Sequence, residues 1–444
     1  MSARRRLRTL LVVAGAIAVL LAPARAGVAS AADVTFGTPT ASATYGTAIA
    51  FSVPYSASGT VTRIELRLRF PTTLGPEIID VPVPGQASTT LRYSLDLGSG
   101  NTLVPNTSIT ATWIAYRANG DAVSSAPATV LYADTDHQWQ TITGTLIRVH
   151  WYVGDEAFAR NALKIGETAV SNASALLGVT ETTPIDFFIY GDQASFVAAL
   201  GPATKETQIG LARADIRTLF GLITPDTLSD PVVAATVPHE LVHLVFDTAV
   251  HNPYRNPPTW LNEGLAVYLS EGYSAERKSL VQQAVRDRTL LPLTALGGEF
   301  PADATLGFLA YCEGASAIDY IVRADGRDAL VRLVRAYADG ITDDEAFTKA
   351  LGQNLEAFQT AWLGQLGADA PQQYGPVAAP PGPLPVDWGG NAVVPLPGAS
   401  AGPGNVQPGG TGSDDQAAIL VAIGAVVLVV VAGLVLARRR GAAG

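Results

Sequence analysis

Charge and cysteine are both scarce in this 444-residue chain: charged residues make up 15% of it, and Cys312 is its one cysteine. A lone thiol excludes an internal disulfide, a cysteine-rich zinc site and a cysteine-ligated cluster. The 29 Lys and Arg are outnumbered by 39 Asp and Glu, leaving a formal charge of −10. No long stretch gathers the basic face that phosphate neutralisation needs, which excludes nucleic acid as the expected partner. Histidine is rare too. Only His137, His150, His239, His243 and His251 occur, so any ordered spacing among them is informative. The length allows two or three domains with sizeable cores.

The ends of the chain carry addresses. Arg4, Arg5, Arg6 and Arg8 precede an apolar run over residues 10–21, and Ala29, Ser30, Ala31 and Ala32 follow. Charged, then apolar, then small is the order of a secretory signal peptide, expected over residues 1–31. Residues 417–437 carry no charge and as a helix would span about 30 Å, the thickness of a bilayer's hydrocarbon core. Arg438, Arg439 and Arg440 follow at once, and the positive-inside rule keeps such a triplet in the cytoplasm. The expectation is an exported chain, anchored in the cell membrane by a single transmembrane helix at 417–437, with a basic cytoplasmic tail at 438–444 and the folded part outside. A sortase-type sorting signal has a similar end, but its Leu-Pro-x-Thr-Gly sequence is absent. Residues 371–416 are rich in Pro and Gly and lack Lys and Arg. Such a segment buries too little apolar surface to offset its ordering entropy, so it reads as a stalk.

Between the two ends the pattern changes once. Residues 61–70 place Ile64, Leu66, Leu68 and Phe70 in alternation with Arg63, Glu65, Arg67 and Arg69, a strand with one buried and one wet face. Shorter runs of this kind recur at 50–53, 78–83, 90–95, 109–116 and 129–131, divided by Gly- and Asn-bearing turns. About seven strands predict an antiparallel β-sandwich of immunoglobulin or fibronectin type III style over residues 32–133. Over residues 141–370 strand patterns (146–153, 185–190, 209–222) give way to helical ones (156–177, 193–200, 237–250, 260–270, 275–288, 306–323, 327–337, 343–351, 355–366). That predicts an α+β domain with a helical C-terminal lobe.

The histidine spacing sits in the second part. His239-Glu240-Leu241-Val242-His243 reads H-E-x-x-H. Residues four apart share a helix face, so both imidazoles can reach one ion while Glu240 points at whatever else that ion binds. A catalytic zinc takes three protein ligands and keeps a fourth position for water. His251 lies beside a Pro-rich loop. Glu263, in Trp260-Leu261-Asn262-Glu263-Gly264, is better placed near the start of a helix that Thr259 can cap and Gly272 can end.

H-E-x-x-H with a downstream Asn-Glu resembles the gluzincin metallopeptidases, of thermolysin-like type, and the run from Trp260 to Ala266 is similar to the peptidase MA-like metallohydrolases. The resemblance covers roughly residues 141–366 and implies a zincin-like fold, Zn2+ held by His239, His243 and Glu263, and Glu240 as general base for a zinc-activated water. It also implies an oxyanion donor on a later helix, for which Tyr311 is the candidate and Tyr320 the weaker one. Two positions depart from the pattern. Val267 stands where such chains carry an Asp that steadies a ligand His, so support must come from elsewhere. Pro238 directly precedes His239, so the helix either starts near Thr236 or kinks there. An edge strand that pairs with extended substrate is expected within 210–218.

The sequence thus reads as a membrane-anchored extracellular zinc metallopeptidase acting on a peptide or protein substrate, with an extracellular ligand for the sandwich as a further partner. The alternative is a surface binding or adhesion protein whose peptidase-like lobe is inert.

Overall fold

Alternation of apolar and polar side chains makes strands of the first part of the chain. A computed structural model describes residues 34–98, 103–204, 208–252 and 255–369. The expected signal peptide (1–31), stalk (371–416), transmembrane helix (417–437) and tail (438–444) lie outside the described residues. Among those described, no helix is long and apolar enough to cross a membrane.

Nine strands form the N-terminal part: β1 (Val34–Phe36), β2 (Thr40–Thr44), β3 (Ala48–Ala57), β4 (Val61–Arg69), β5 (Glu77–Val81), β6 (Ser88–Asp96), β7 (Thr107–Arg117), β8 (Ala122–Ser124) and β9 (Ala128–Tyr132). One sheet runs β1-β3-β2 with β6 also on β3, the other β5-β4-β7-β8 with β9 also on β7. All these pairs are antiparallel. Phe51 and Val53 of the first sheet and Leu66 and Trp113 of the second share one core. Three strands fall outside the expected runs: β2, and the three-residue pieces β1 and β8, too short to show a period. Glu65, assigned to the wet face of β4, is buried. Arg63 and Arg67 approach it at 2.7 and 2.9 Å, and the Tyr116 hydroxyl donates to it at 3.0 Å.

The second part opens with one five-stranded sheet made of β10 (Gln140–Thr143), β11 (Ile147–Trp151), β12 (Ile185–Tyr190), β13 (Gly210–Arg213) and β14 (Thr218–Leu222). Its order is β10-β11-β12-β14-β13, with β11, β12 and β14 parallel and the two edges antiparallel. Helix α1 (Glu156–Leu177), which crosses from β11 to β12, is capped by Asp155 and ends at Gly178 with φ 63. The remaining helices are α2 (Gln193–Leu200), α3 (Pro231–Val250), α4 (Thr259–Ser270), α5 (Ala275–Asp287), α6 (Ala304–Ala324), α7 (Arg327–Ala336), α8 (Asp343–Leu351) and α9 (Leu355–Leu366). A continuous core runs from Ile147 in the sheet through Leu241 and Trp260 to Trp362 in the last helix.

Two helix starts differ from the sequence expectation. α3 does not begin near Thr236 but at Pro231, and Pro238 lies inside it, where its missing N–H leaves the Ala234 carbonyl without its helical donor. Thr259 is already helical and Pro258 holds the cap position of α4; the Thr259 N–H goes instead to the Gly297 carbonyl at 3.0 Å.

Residues 134–139 and the loop before β7 fasten the two parts together. Asn106, at φ 66, donates to Asp186 Oδ2 at 3.0 Å and Thr218 Oγ1 at 2.8 Å. Val104 packs into the cluster of Tyr190, Phe196 and Phe220.

Candidate metal centre

α3 and α4 supply the donors. His239 and His243, four apart on α3, face Glu263 in the second turn of α4, and one donor atom from each of the three lies within 4.8 Å of the others. Among the described residues this is the one such group. What brings α4 close is small residues. A β-carbon at Gly264 would stand 2.4 Å from the Gly314 carbonyl carbon, and one at Gly314 would stand 2.8 Å from the Trp260 oxygen. α4 and α6 therefore touch backbone to backbone, which sets Glu263 of one beside Tyr311 of the other.

The donor set fits a zinc ion. Glu263 is 0% exposed, and its two oxygens, together with Nε2 of His239 and of His243, are buried without a hydrogen-bond partner. Glu263 Oε2 comes within 3.2 Å of His239 Nε2 and 3.6 Å of His243 Nε2, close but not aligned as hydrogen bonds. Three ligands about 2.1 Å from a tetrahedral ion stand about 3.4 Å apart, so the spacing suits a common ion better than a pair. Leaving such groups unpaired in a dry site is costly. Burial pushes the Glu263 carboxyl up to about 8, with His243 drawing it down and Glu240 adding to the rise. Burial also pushes the His239 imidazolium down, partly offset by Glu240 and Glu271, which favours the neutral ring that ligates. His243 is the most exposed of the three, with 13% of its side chain open.

Asn262 Oδ1 lies 2.9 Å from His243 Nδ1. As an acceptor it fixes the proton on Nδ1 and aims the Nε2 lone pair at the cluster. In the sequence Asn262 stands only within the run from Trp260 to Gly264, with nothing that marks this task. Val267 packs with Tyr311 and Ala315, and His239 Nδ1 has no partner among the described residues.

Glu240 is buried beside the cluster, and its Oε2 accepts the Ala212 N–H of β13 at 3.0 Å. Tyr311 is buried with its ring centroid 6.2 Å from that of His239 and edge-on to Phe300 at 5.0 Å. Burial, then Glu263 and Glu240, hold its phenol well above the usual tyrosine range, so it stays a donor. Tyr320 does not join the site; its ring faces Phe358 at 5.7 Å. Cys312 is a buried thiol pushed up to about 11 by burial, touched by Arg277 Nη1 at 3.7 Å.

The other histidines do structural work. His251 lies exposed, 3.8 Å from Asp247, away from the cluster. His150 Nε2 meets Asp186 Oδ1 at 2.8 Å. His137 stands 3.2 Å from Ser195 Oγ and 3.1 Å from Asp134 Oδ2, the order of a serine hydrolase triad. Yet Ser195 Oγ donates to Asp192 Oδ2 at 2.8 Å. A carboxylate beside a nucleophile repels an oxyanion. His137 also stacks on Tyr152 at 4.0 Å, so the cluster is a joint between the two parts of the chain.

Residues 166–368 match the Peptidase MA superfamily. The matched segment runs from within α1 past the end of α9 and contains all of His239, Glu240, His243, Glu263 and Tyr311, in keeping with the resemblance in the sequence. No curated protein matches the chain. Among solved structures it is similar to an M1 zinc metallopeptidase from Deinococcus radiodurans, with TM-score 0.32, 14% identity and coverage of 77% of this chain and 95% of that one. An aminopeptidase N family protein from Idiomarina loihiensis gives TM-score 0.36 and 12% identity over 75% of this chain and 78% of that one. Both likenesses are distant.

Proposed function

We propose that the chain is an exported zinc metallopeptidase that hydrolyses peptide bonds and is held on a membrane by residues 417–437. One observation carries the chemistry: the Nε2 atoms of two imidazoles and both oxygens of a carboxylate, buried and without hydrogen-bond partners, converge beside a second buried carboxylate on the same helix as the imidazoles. Export and anchoring rest on the charged, apolar and small residues of 1–31 and on the uncharged run before Arg438.

A bound zinc would supply a Lewis acid and a water acid enough to lose its proton near neutral pH. Glu240 is the group that takes this proton and passes it to the leaving amine. Tyr311, kept protonated in its dry setting, donates to the oxygen that gains charge in the transition state. β13, at the sheet edge beside Glu240, offers backbone groups to an extended peptide, which reads conformation more than sequence.

Glu240→Gln tests the assignment, since it keeps the side chain's shape and loses the base. The variant should hold zinc as the wild type does while peptide hydrolysis falls by about 10² to 10⁴. Undiminished cleavage would refute the mechanism.

A further inference from the structure

The pairing of β13 with β14 fixes the direction of each backbone group on the sheet edge. Leu222 N–H donates to the Ile209 carbonyl at 2.8 Å, and the register continues Gly210↔Gly221, Leu211↔Phe220, Ala212↔Leu219. In an antiparallel ladder hydrogen-bonded pairs alternate, so residues 209, 211 and 213 point into the sheet, while the N–H and C=O of Gly210 and Ala212 point off its free edge. An added strand would use those outward groups.

Side chains already hold two of them. Gln208 Nε2 donates to the Gly210 carbonyl at 3.2 Å, and the Ala212 N–H goes to Glu240 Oε2 at 3.0 Å. Gln208 is 1% exposed, yet its Oε1 has no hydrogen-bond partner. The carboxamide is therefore tied to the strand by one long hydrogen bond, which a better-aligned donor can displace. The edge also rests directly on the ligand-bearing helix: a β-carbon at Gly210 would stand 3.0 Å from Thr236 Cγ2 and 3.1 Å from Glu240 Cγ.

We propose that Gln208 determines specificity for extended peptides by standing in for a substrate N–H on the Gly210 carbonyl. A peptide long enough to pair with β13 takes over that carbonyl and, in the same seating, the Ala212 N–H, which releases Glu240 from the strand for proton transfer. A substrate too short to reach Gly210 leaves Gln208 in place. The inference rests on the peptidase reading of the site and adds the selection of substrate by backbone length and pairing.

The test uses the purified full chain with its zinc content measured. Its substrates are a fluorogenic hexapeptide and versions of it carrying one backbone N-methyl group at each position in turn. Gln208→Met keeps the side chain's length and cannot donate; Gln208→Ala guards against a misfit of Met, and melting curves report folding. For either variant KM of the parent hexapeptide should fall about threefold to tenfold with kcat and zinc content unchanged, as expected when one competing hydrogen bond is removed. That gain should vanish for the one peptide whose methyl group replaces the N–H facing Gly210 and persist for the others. An unchanged or raised KM in folded, zinc-loaded variants would overturn the inference alone, as would an equal gain across every methylated peptide. A wild-type chain without zinc and without hydrolysis would remove the reading of the site and the inference with it.

Discussion

Glu263, Tyr311 and Glu313 are all buried acids, and burial gives each a different task. Tyr311 needs its proton to act as a donor, and the low-dielectric pocket it shares with Glu263 keeps that proton in place. Tyr311→Phe keeps the ring against Phe300 and removes only the donor. kcat and kcat/KM should therefore fall together by about 10² with zinc content unchanged; a near-normal rate would strip Tyr311 of the role. Glu313, also on α6, is 0% exposed and accepts the Leu291 N–H at 3.0 and 3.2 Å. Burial holds its carboxyl well above the usual range, against the pull of that N–H. With the folded value raised, the protonated form favours the fold in acid, and that contribution is lost as pH rises through the folded value. Glu313→Gln keeps the acceptor and cannot ionise, so its Tm advantage over the wild type should be small near about pH 5 and larger near about pH 8. An advantage that does not change with pH would contradict this account. At this scale the sequence declared two of the three donors through the spacing of His239 and His243, because helical periodicity is local. Asn262 and Gln208 were not legible as site residues, since each acts through a partner whose position depends on how β13, α3 and α4 come together.

Packing between elements decides whether the donors meet. α4 and α6 approach so closely at Gly264 and Gly314 that neither position has room for a β-carbon. Gly264→Ala must therefore part the helices, displacing Glu263 from the histidines and Tyr311 from both. The variant should lose about 1 to 3 kcal/mol of stability and bind zinc more weakly, as read from a denaturant midpoint and a zinc titration; full stability with unchanged affinity would show that the close approach is dispensable. Most helices were readable because their caps are local: Asp155 and Gly178 bound α1, and Thr342 with Glu345 forms a capping box on α8. The start of α3 was not readable. Pro238 is a stop signal in isolation, and the surrounding core, with Val233, Val237 and Leu241 all buried, overrides it. Neither was β10, a four-residue strand whose existence depends on β11 beside it.

At the scale of the molecule, two parts with separate cores are joined by a polar and aromatic seam. Arg148, His150 and Asn106 all converge on Asp186, and Trp139 lies edge-on to Tyr152, Phe188 and Tyr190. The change from period two to helical period made the two parts legible in the sequence. The seam was not, because it joins residues as far apart as Asn106 and Asp186, and residues 134–139 show no period of their own. Through Asn106, which bonds to Asp186 and Thr218, the sandwich meets the sheet that carries β13. Everything proposed for catalysis nonetheless depends on one ion at one cluster. The most direct measurement is zinc per chain, by elemental analysis after removal of free metal, in the wild type and in His243→Ala, with melting curves to show that both are folded. The account predicts about one zinc per wild-type chain and nearly none in the variant. A folded wild type that holds no zinc, or a His243→Ala chain that keeps its full complement, would contradict it.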